Sequence, residues 1–200
     1  ALSPEDLPDT LEGFTDPVWK GRIGWAPTNG SFQAMVTGMR LIWGEERTRD
    51  WLEGIVANEP KVYAKNPPTV AATGSGEVEV GFVNHYYLHR FLAEEGDGFA
   101  ARNYFLPGGG PGSAILVTGA AILKTADNAI EAERFLDYLL SVEAQSYFAE
   151  ETYEYPLIDG VERADMLPDL ASLSTPDIDV SDLGDLAATQ NLLREFSALP

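Results

Sequence analysis

Short β-prone segments that alternate with amphipathic helices predict an α/β layered fold, a sheet with flanking helices. Two further observations support it. Turn-forming and capping residues stand where the candidate strands hand over to helices, at Pro27-Thr28-Asn29-Gly30-Ser31, at Asn66, and at Asn84 to Tyr87. In open α/β sheets ligands bind beyond the carboxyl ends of strands, which is where these three segments fall.

The elements follow in order. Residues 3–18 carry prolines at 4, 8 and 17 and read as a connector. Residues 22–26 form a short apolar strand. The turn 27–31 opens a helix in which Phe32, Met35, Val36, Met39, Ile42 and Trp43 recur at helical spacing. A second helix covers 47–58, with Trp51, Leu52 and Ile55 inward. Residues 61–64 are another short strand, and Asn66-Pro67-Pro68 leads into a short helix ending near Gly74. Residues 77–83 alternate charge with Val before Gly81-Phe82-Val83, which suits a strand. A helix then begins at Asn84 or His85 and runs to about Glu95. Residues 103–106 are strand-like, and 107–112 are a loop of strong breakers. Residues 114–123 are the longest apolar run. Helices cover 129–140 and 142–150, after a break capped by Asp127 or Asn128. Residues 153–158 are extended, 159–179 form a proline-punctuated surface passage, and Ser181 caps a last amphipathic helix carrying Leu183, Leu186, Leu192, Leu193 and Phe196. The chain has no internal repeat and no low-complexity tract.

Composition narrows the function. The chain of 200 residues can bury a substantial core, and its formal net charge is −19, from 13 basic and 32 acidic residues. Such a charge is either a solvated acidic surface or a field that attracts cations and repels nucleic acid and anionic membrane. With no basic stripe, a nucleic-acid partner is disfavoured. The absence of cysteine excludes disulfides, thiolate zinc sites, iron–sulfur clusters and cysteine nucleophiles. No apolar run is long enough to span a bilayer. The chain opens on Ala1-Leu2-Ser3-Pro4, so the missing leader carries no information about export.

Three constellations carry chemistry. Tyr86 and Tyr87 are adjacent at a strand-to-helix handover. A phenol is a hard donor only when deprotonated, and with a pKa near 10 that costs about 4 kcal/mol per tyrosine at neutral pH. A small trivalent cation such as Fe(III) offsets that cost where a weakly polarising ion does not. The bland alternative is one ring in the core and one in solvent. Secondly, Asn29, Gly30 and Ser31 present amides and a hydroxyl at a helix start, which is either an anion site or a simple cap. Thirdly, His85 and His89 at i, i+4 share a helix face and fit a divalent metal, but Tyr86 replaces the general-base glutamate of H-E-x-x-H and no third histidine exists. A surface or capping role for His89 is the plainer reading. Other motifs fail. Gly74-Ser75-Gly76 is followed by Glu79 where a dinucleotide fingerprint needs glycine. The 108–112 loop lacks Gly-Lys-Ser/Thr. The calcium-like start at Asp177 has Asp182 at its sixth position and Ala188 at its twelfth. Ser31, Ser113 and Ser141 lack the G-x-S-x-G frame.

Several runs together resemble one family. These are Trp19-Lys20-Gly21-Arg22-Ile23-Gly24-Trp25-Ala26-Pro27-Thr28-Asn29-Gly30-Ser31-Phe32, Tyr63-Ala64-Lys65-Asn66, Val83-Asn84-His85-Tyr86-Tyr87, Pro111-Gly112-Ser113 and Glu154-Tyr155-Pro156-Leu157. They resemble the carboxy-terminal portion of the periplasmic ferric-iron-binding proteins of ABC transporters, the bacterial transferrin-like solute-binding family. The tyrosine pair with its preceding Asn84 is the specific element, and the rest is shared more loosely.

The resemblance implies a periplasmic solute-binding protein type II lobe plus an incomplete part of a second lobe, the two lobes closing over the ion. Residues 1–115 and 168–200 would form the tyrosine- and anion-bearing lobe, and 116–167 would belong to the other. Tyr86 and Tyr87 match the metal-ligating tyrosinates. Asn29, Gly30 and Ser31 match the loop that holds a synergistic anion, phosphate or carbonate, while Asn66 and Asn84 match further anion contacts. The implied role is a binder, not an enzyme, that carries Fe(III) to the membrane permease of an ABC importer. The implied location is periplasmic or extracellular, with a lipoprotein anchor as one means of membrane attachment. Family members begin with a long segment that builds most of the first lobe and supplies any His, Glu or Asp ligand. That segment has no match here, so the apolar run 114–123 is expected to need a missing amino-terminal fragment, a second copy of the chain, or a rearranged packing. The rival reading keeps the cleft and changes the ligand to a small organic or anionic solute, with Tyr86 and Tyr87 as walls and Ser31, Asn66 and Asn84 as polar contacts.

Overall fold

The computed structural model describes residues 2–200, and the chain divides into two compact units, Ala1–Leu116 with Ala171–Pro200, and Val117–Leu170. The first unit is built on three parallel strands, β1 (Ile23–Trp25), β2 (Lys61–Val62) and β3 (Val80–Gly81), in the order β2-β1-β3. Gly24 pairs with both Lys61 and Gly81, so the register centres on one glycine. Helices α1 (Gly30–Trp43) and α2 (Glu45–Ala57) connect β1 to β2, α3 (Asn66–Ser75) connects β2 to β3, and α4 (Tyr86–Glu95) follows β3. The chain steps from β1 to one side for β2 and to the other for β3. That reversal makes β1 a topological switch point. Because the strands are parallel, the first turns of α1, α3 and α4 all lie at one edge of the sheet.

The strands are shorter than the sequence suggests. Of 77–83 only Val80–Gly81 pairs, and 103–106 makes no strand. A strand exists only where a neighbour answers its backbone groups, and β-prone residues alone do not supply one. Gly81 has a packing reason: a Cβ there would sit 2.7 Å from Thr69 Cγ2 on α3, so the helix could not lie this close to the sheet. Arg22 Nε donates to Glu79 Oε1 at 2.8 Å and Nη2 to Oε2 at 2.5 Å, a bidentate clasp between the approaches to β1 and β3. The guanidinium holds the Glu79 carboxyl below its ordinary value, first by hydrogen bonding. A carboxyl whose folded-state pKa is depressed stabilises the fold above its unfolded pKa and loses that contribution as pH falls through the folded value. Glu79 is 43% exposed, so Glu79→Gln should cost no more than about 1 kcal/mol at pH 7, and the gap to the native chain should narrow as pH falls below the ordinary carboxylate range, read from urea midpoints.

Residues 3–18 are not merely a connector. They form three 3-10 turns, Pro4–Asp6, Leu11–Thr15 and Pro17–Trp19, and they bury Leu11 and Phe14. These two join Trp19, Ile23, Trp25, Phe32, Val36, Met39, Trp51, Leu52, Ile55, Leu192 and Leu193 in the main core. Trp51 Nε1 donates to Leu11 O at 2.9 Å, and Asn58 Nδ2 donates to Phe14 O and Asp16 O, each at 2.9 Å. The prolines open two of these turns and do not keep the segment out of the core.

The last helix also differs. Ser181 does not cap it. Asp179 caps a 3-10 turn, Val180–Gly184, and Asp185 accepts from Ala188 N at the start of α7 (Leu186–Glu195). Helix α7 returns to α1 through a Thr37–Thr189 hydroxyl contact of 2.7 Å and a Gln190–Gln33 hydrogen bond of 2.9 Å. The second unit holds α5 (Ala129–Leu139) and α6 (Val142–Glu151), the latter capped by Ser141. Inside it, Gln145 donates to Leu139 O and accepts from Leu157 N, both at 2.8 Å. The apolar run 114–123 is neither strand nor helix, and Ile115, Val117 and Leu123 are exposed.

Candidate functional site

Each strand end delivers part of the site. After β1 the chain turns through Ala26, Pro27 and Thr28 and enters α1 with Asn29 as its cap. Asn29 Oδ1 accepts from Ser31 N at 2.9 Å and from Ser31 Oγ at 2.7 Å. Gln33 Nε2 donates to Pro27 O at 3.0 Å and holds the loop from within. Thr28 Oγ1 donates to Ala64 O at 3.3 Å, which ties this loop to the one after β2. A Cβ on Gly30 would meet nothing within 4 Å, so open space lies in front of the start of α1.

After β2 comes Asn66, the first residue of α3. It is 1% exposed, an uncommon place for an amide. Its Nδ2 donates to Asn84 Oδ1 at 2.9 Å and to Ser31 Oγ at 3.3 Å. Asn84 stands after β3, just ahead of α4. One hydrogen-bonded chain therefore runs Asn29–Ser31–Asn66–Asn84 across the ends of all three strands. The Oδ1 of Asn66 is buried without a hydrogen-bond partner. Three helix starts share this edge. Their free amides and aligned dipoles favour negative charge there.

Tyr86 and Tyr87 are the first two residues of α4, and both are half-buried. Their rings lie 4.5 Å apart at 41°. Neighbours on a helix point about 100° apart, but at the first turn, fed by a strand, the two rings meet. Tyr87 also packs on a second cluster of Val70, Leu88, Phe99 and Ala101, and with Pro67, Arg90, Phe91 and Glu94 it lines a cavity of about 140 Å³. The alternative, one ring in the core and one in solvent, is not what the structure has.

Two nearby groups are set aside by their surroundings. Tyr63 donates to Glu77 Oε1 at 3.0 Å, and burial, with the carboxylate second, pushes its phenol up to about 12. It stays a protonated phenol and is no anionic donor. His89 is 8% exposed, not at the surface or a cap, and burial, with His85 second, lowers its pKa below the ordinary imidazole value. Among the described residues no cluster of three or more His, Cys, Asp or Glu side chains could hold a metal ion.

Sequence reasoning missed Asn103. Its Nδ2 donates to His85 O at 2.9 Å and lies 3.5 Å from His89 Nε2. Nothing in the spacing between Asn103 and the tyrosines signals this contact.

A family model described as bacterial extracellular solute-binding protein matches residues 1–182. The chain is 33% identical over 195 residues to a major ferric iron-binding protein of Neisseria meningitidis, covering 97% of this chain and 59% of that protein. It is 34% identical over 196 residues to iron uptake protein A2 of Synechocystis, covering 92% of this chain and 55% of the relative. Among solved structures it is similar to iron-bound HitA from Pseudomonas aeruginosa, with a TM-score of 0.90, 32% identity, and coverage of 96% of this chain and 62% of that one. The chain thus spans about three fifths of the length of these relatives.

Proposed function

The chain belongs to the family of bacterial extracellular solute-binding proteins and has their type II fold, and from that premise we propose that it binds ferric ion as cargo for an ABC importer. The phenolates of Tyr86 and Tyr87 are the metal ligands in this reading. A synergistic anion, phosphate or carbonate, sits on Asn29, Gly30, Ser31, Asn66 and Asn84. The relatives are solute-binding transport proteins rather than enzymes, and two of them are named for ferric iron binding or iron uptake. A further relative, 27% identical over 184 residues, is named an Fe(3+)-binding periplasmic protein of Serratia marcescens, and that setting is carried over with the function. Residues 1–115 and 168–200 serve as the tyrosine-bearing lobe, with 116–167 belonging to the other lobe of the family architecture.

One observation carries the reading. Three strand ends gather four amide and hydroxyl side chains into one hydrogen-bonded row directly ahead of two half-buried tyrosines whose rings lie 4.5 Å apart. Neutral donors and three helix starts suit an anion, and two phenolates suit a hard trivalent ion. Held by these donors, the anion would supply further hard oxygen ligands to the metal. The −19 net charge attracts the cation to the protein. Loss of the anion would remove donors from the metal and so favour its release.

The test is a titration with ferric citrate in phosphate buffer, followed by visible absorbance. A red to purple tyrosinate-to-iron charge-transfer band at one ion per chain is the expected result. Asn66→Asp places a carboxylate among the anion donors and should weaken ferric binding at fixed phosphate by about tenfold or more. A colourless protein that instead binds a small organic anion would transfer the site to the rival reading.

A further inference from the structure

We propose that Asn103 is a positioning residue for the Tyr86–Tyr87 pair, clamping the helical turn that carries both tyrosines from a segment beyond the end of α4. The inference rests on the ferric reading for its spectroscopic arm and on the geometry of the metal-free protein for the rest.

The need for a clamp is visible in the helix caps. Helix α1 is capped by Asn29, α6 by Ser141 and α7 by Asp185, each accepting from a first-turn amide. The residue at the cap of α4 is His85, in helical conformation, and its side chain makes no capping hydrogen bond. Helices α2, α3 and α5 also start without a side-chain cap, but in α4 the two tyrosines follow at once, so they ride on a first turn that the His85 side chain does not cap. Uncapped first turns fray.

Asn103 meets that need from 18 residues away. Its Nδ2 carries two N–H groups. One donates to the His85 carbonyl at 2.9 Å, and the other faces His89 Nε2 at 3.5 Å. His85 and His89 bracket Tyr86 and Tyr87 on the helix, so the amide spans the turn from one side to the other. His89 is buried, which gives the clamp a fixed far end. Phe105, two residues on, places its ring 6.4 Å from the His85 ring, so the same segment braces the start of α4 twice. A tyrosine hydroxyl stands far from its backbone, and a small rotation of this turn moves it by much more. Groups that orient metal ligands in this way typically change affinity by about 10–100-fold when removed.

The experiment compares the full chain with Asn103→Leu, which keeps the volume and loses the donor, and Asn103→Gln, which keeps the donor. In metal-free protein, amide exchange at His89 and Arg90 should quicken by about tenfold in Asn103→Leu, and ring signals of Tyr86 and Tyr87 in carbon-13 tyrosine NMR should move. Asn103→Gln should restore both. In ferric-loaded protein, Asn103→Leu should shift the charge-transfer maximum and lose iron to excess EDTA about tenfold faster. If Asn103→Leu does not fold, Asn103→Asp, isosteric but without the N–H, takes its place. Native exchange and native Tyr86 and Tyr87 signals overturn the proposal whatever the metal does. Faster exchange with an unmoved charge-transfer band also overturns it, because the residue is then structural only. A native chain that takes no ferric ion sinks the ferric reading alone, and the exchange and ring signals still decide the clamp.

Discussion

Replacing both site tyrosines, Tyr86→Phe with Tyr87→Phe, is expected to abolish the visible ferric band and to weaken ferric binding by at least about a thousandfold. Orienting groups one shell out from a metal are worth about 10–100-fold each, and the directly bound anionic ligands exceed that. The substitution removes two oxygens and leaves both rings, so the 4.5 Å ring contact and the packing of Tyr87 on Val70 and Leu88 persist. Thermal stability should therefore change little, within the range of surface substitutions. Each single variant should retain a shifted and weaker band. Two protons leave the phenols for each ion bound, so apparent affinity should fall by up to about a hundredfold per pH unit on acidification, once the competing chelator's own protonation is subtracted. A double variant that keeps its colour assigns the iron to other residues. The measurement is absorbance during competition with a chelator of known affinity.

The largest effect on stability is expected at Trp51. It is 2% exposed in the main core, its ring lies 5.8 Å from that of Phe82, and its indole N–H donates to Leu11 O. Trp51→Ala removes a large aromatic from a close-packed interior, at about 3–5 kcal/mol, and orphans the Leu11 carbonyl besides. Against a typical total of about 5–15 kcal/mol, that is a large share of the fold. Trp51→Phe keeps most of the volume and loses only the donor, at about 1–3 kcal/mol. The gap between the two separates packing from the hydrogen bond. Urea midpoints at unchanged slope report it. A Trp51→Ala midpoint within error of the native value would mean that residues 3–18 are not anchored through this contact.

Helices were the most legible part of the fold. The apolar spacing in α1 and α2 brackets the observed Gly30–Trp43 and Glu45–Ala57 within two residues at each end, because a 3.6-residue period is local information. Strands were less so. Val and Phe in 77–83 and aromatics in 103–106 are β-prone in both places, yet only the first has a neighbour to pair with, and pairing is non-local. The opening segment was misread for the same reason. Leu11 and Phe14 bury against a core in which Trp51 of α2 and Asn58 just beyond it donate to their carbonyls, some forty residues downstream.

The candidate site divides along the same line. Residue types alone establish the chemistry on offer: adjacent phenols, amides and a hydroxyl at strand-to-helix handovers, no thiols, and a surplus of negative charge. Handover points are readable because turn and cap preferences act within a few residues. That Ser31, Asn66 and Asn84 touch follows from a parallel register centred on Gly24, which aligns three strand ends at one edge. That both tyrosines are half-buried side by side, that His89 is interior, and that Asn103 reaches the turn between them all depend on packing across many residues of separation. No local preference encodes such contacts. They exist because burying the core fixes which distant segments share an edge.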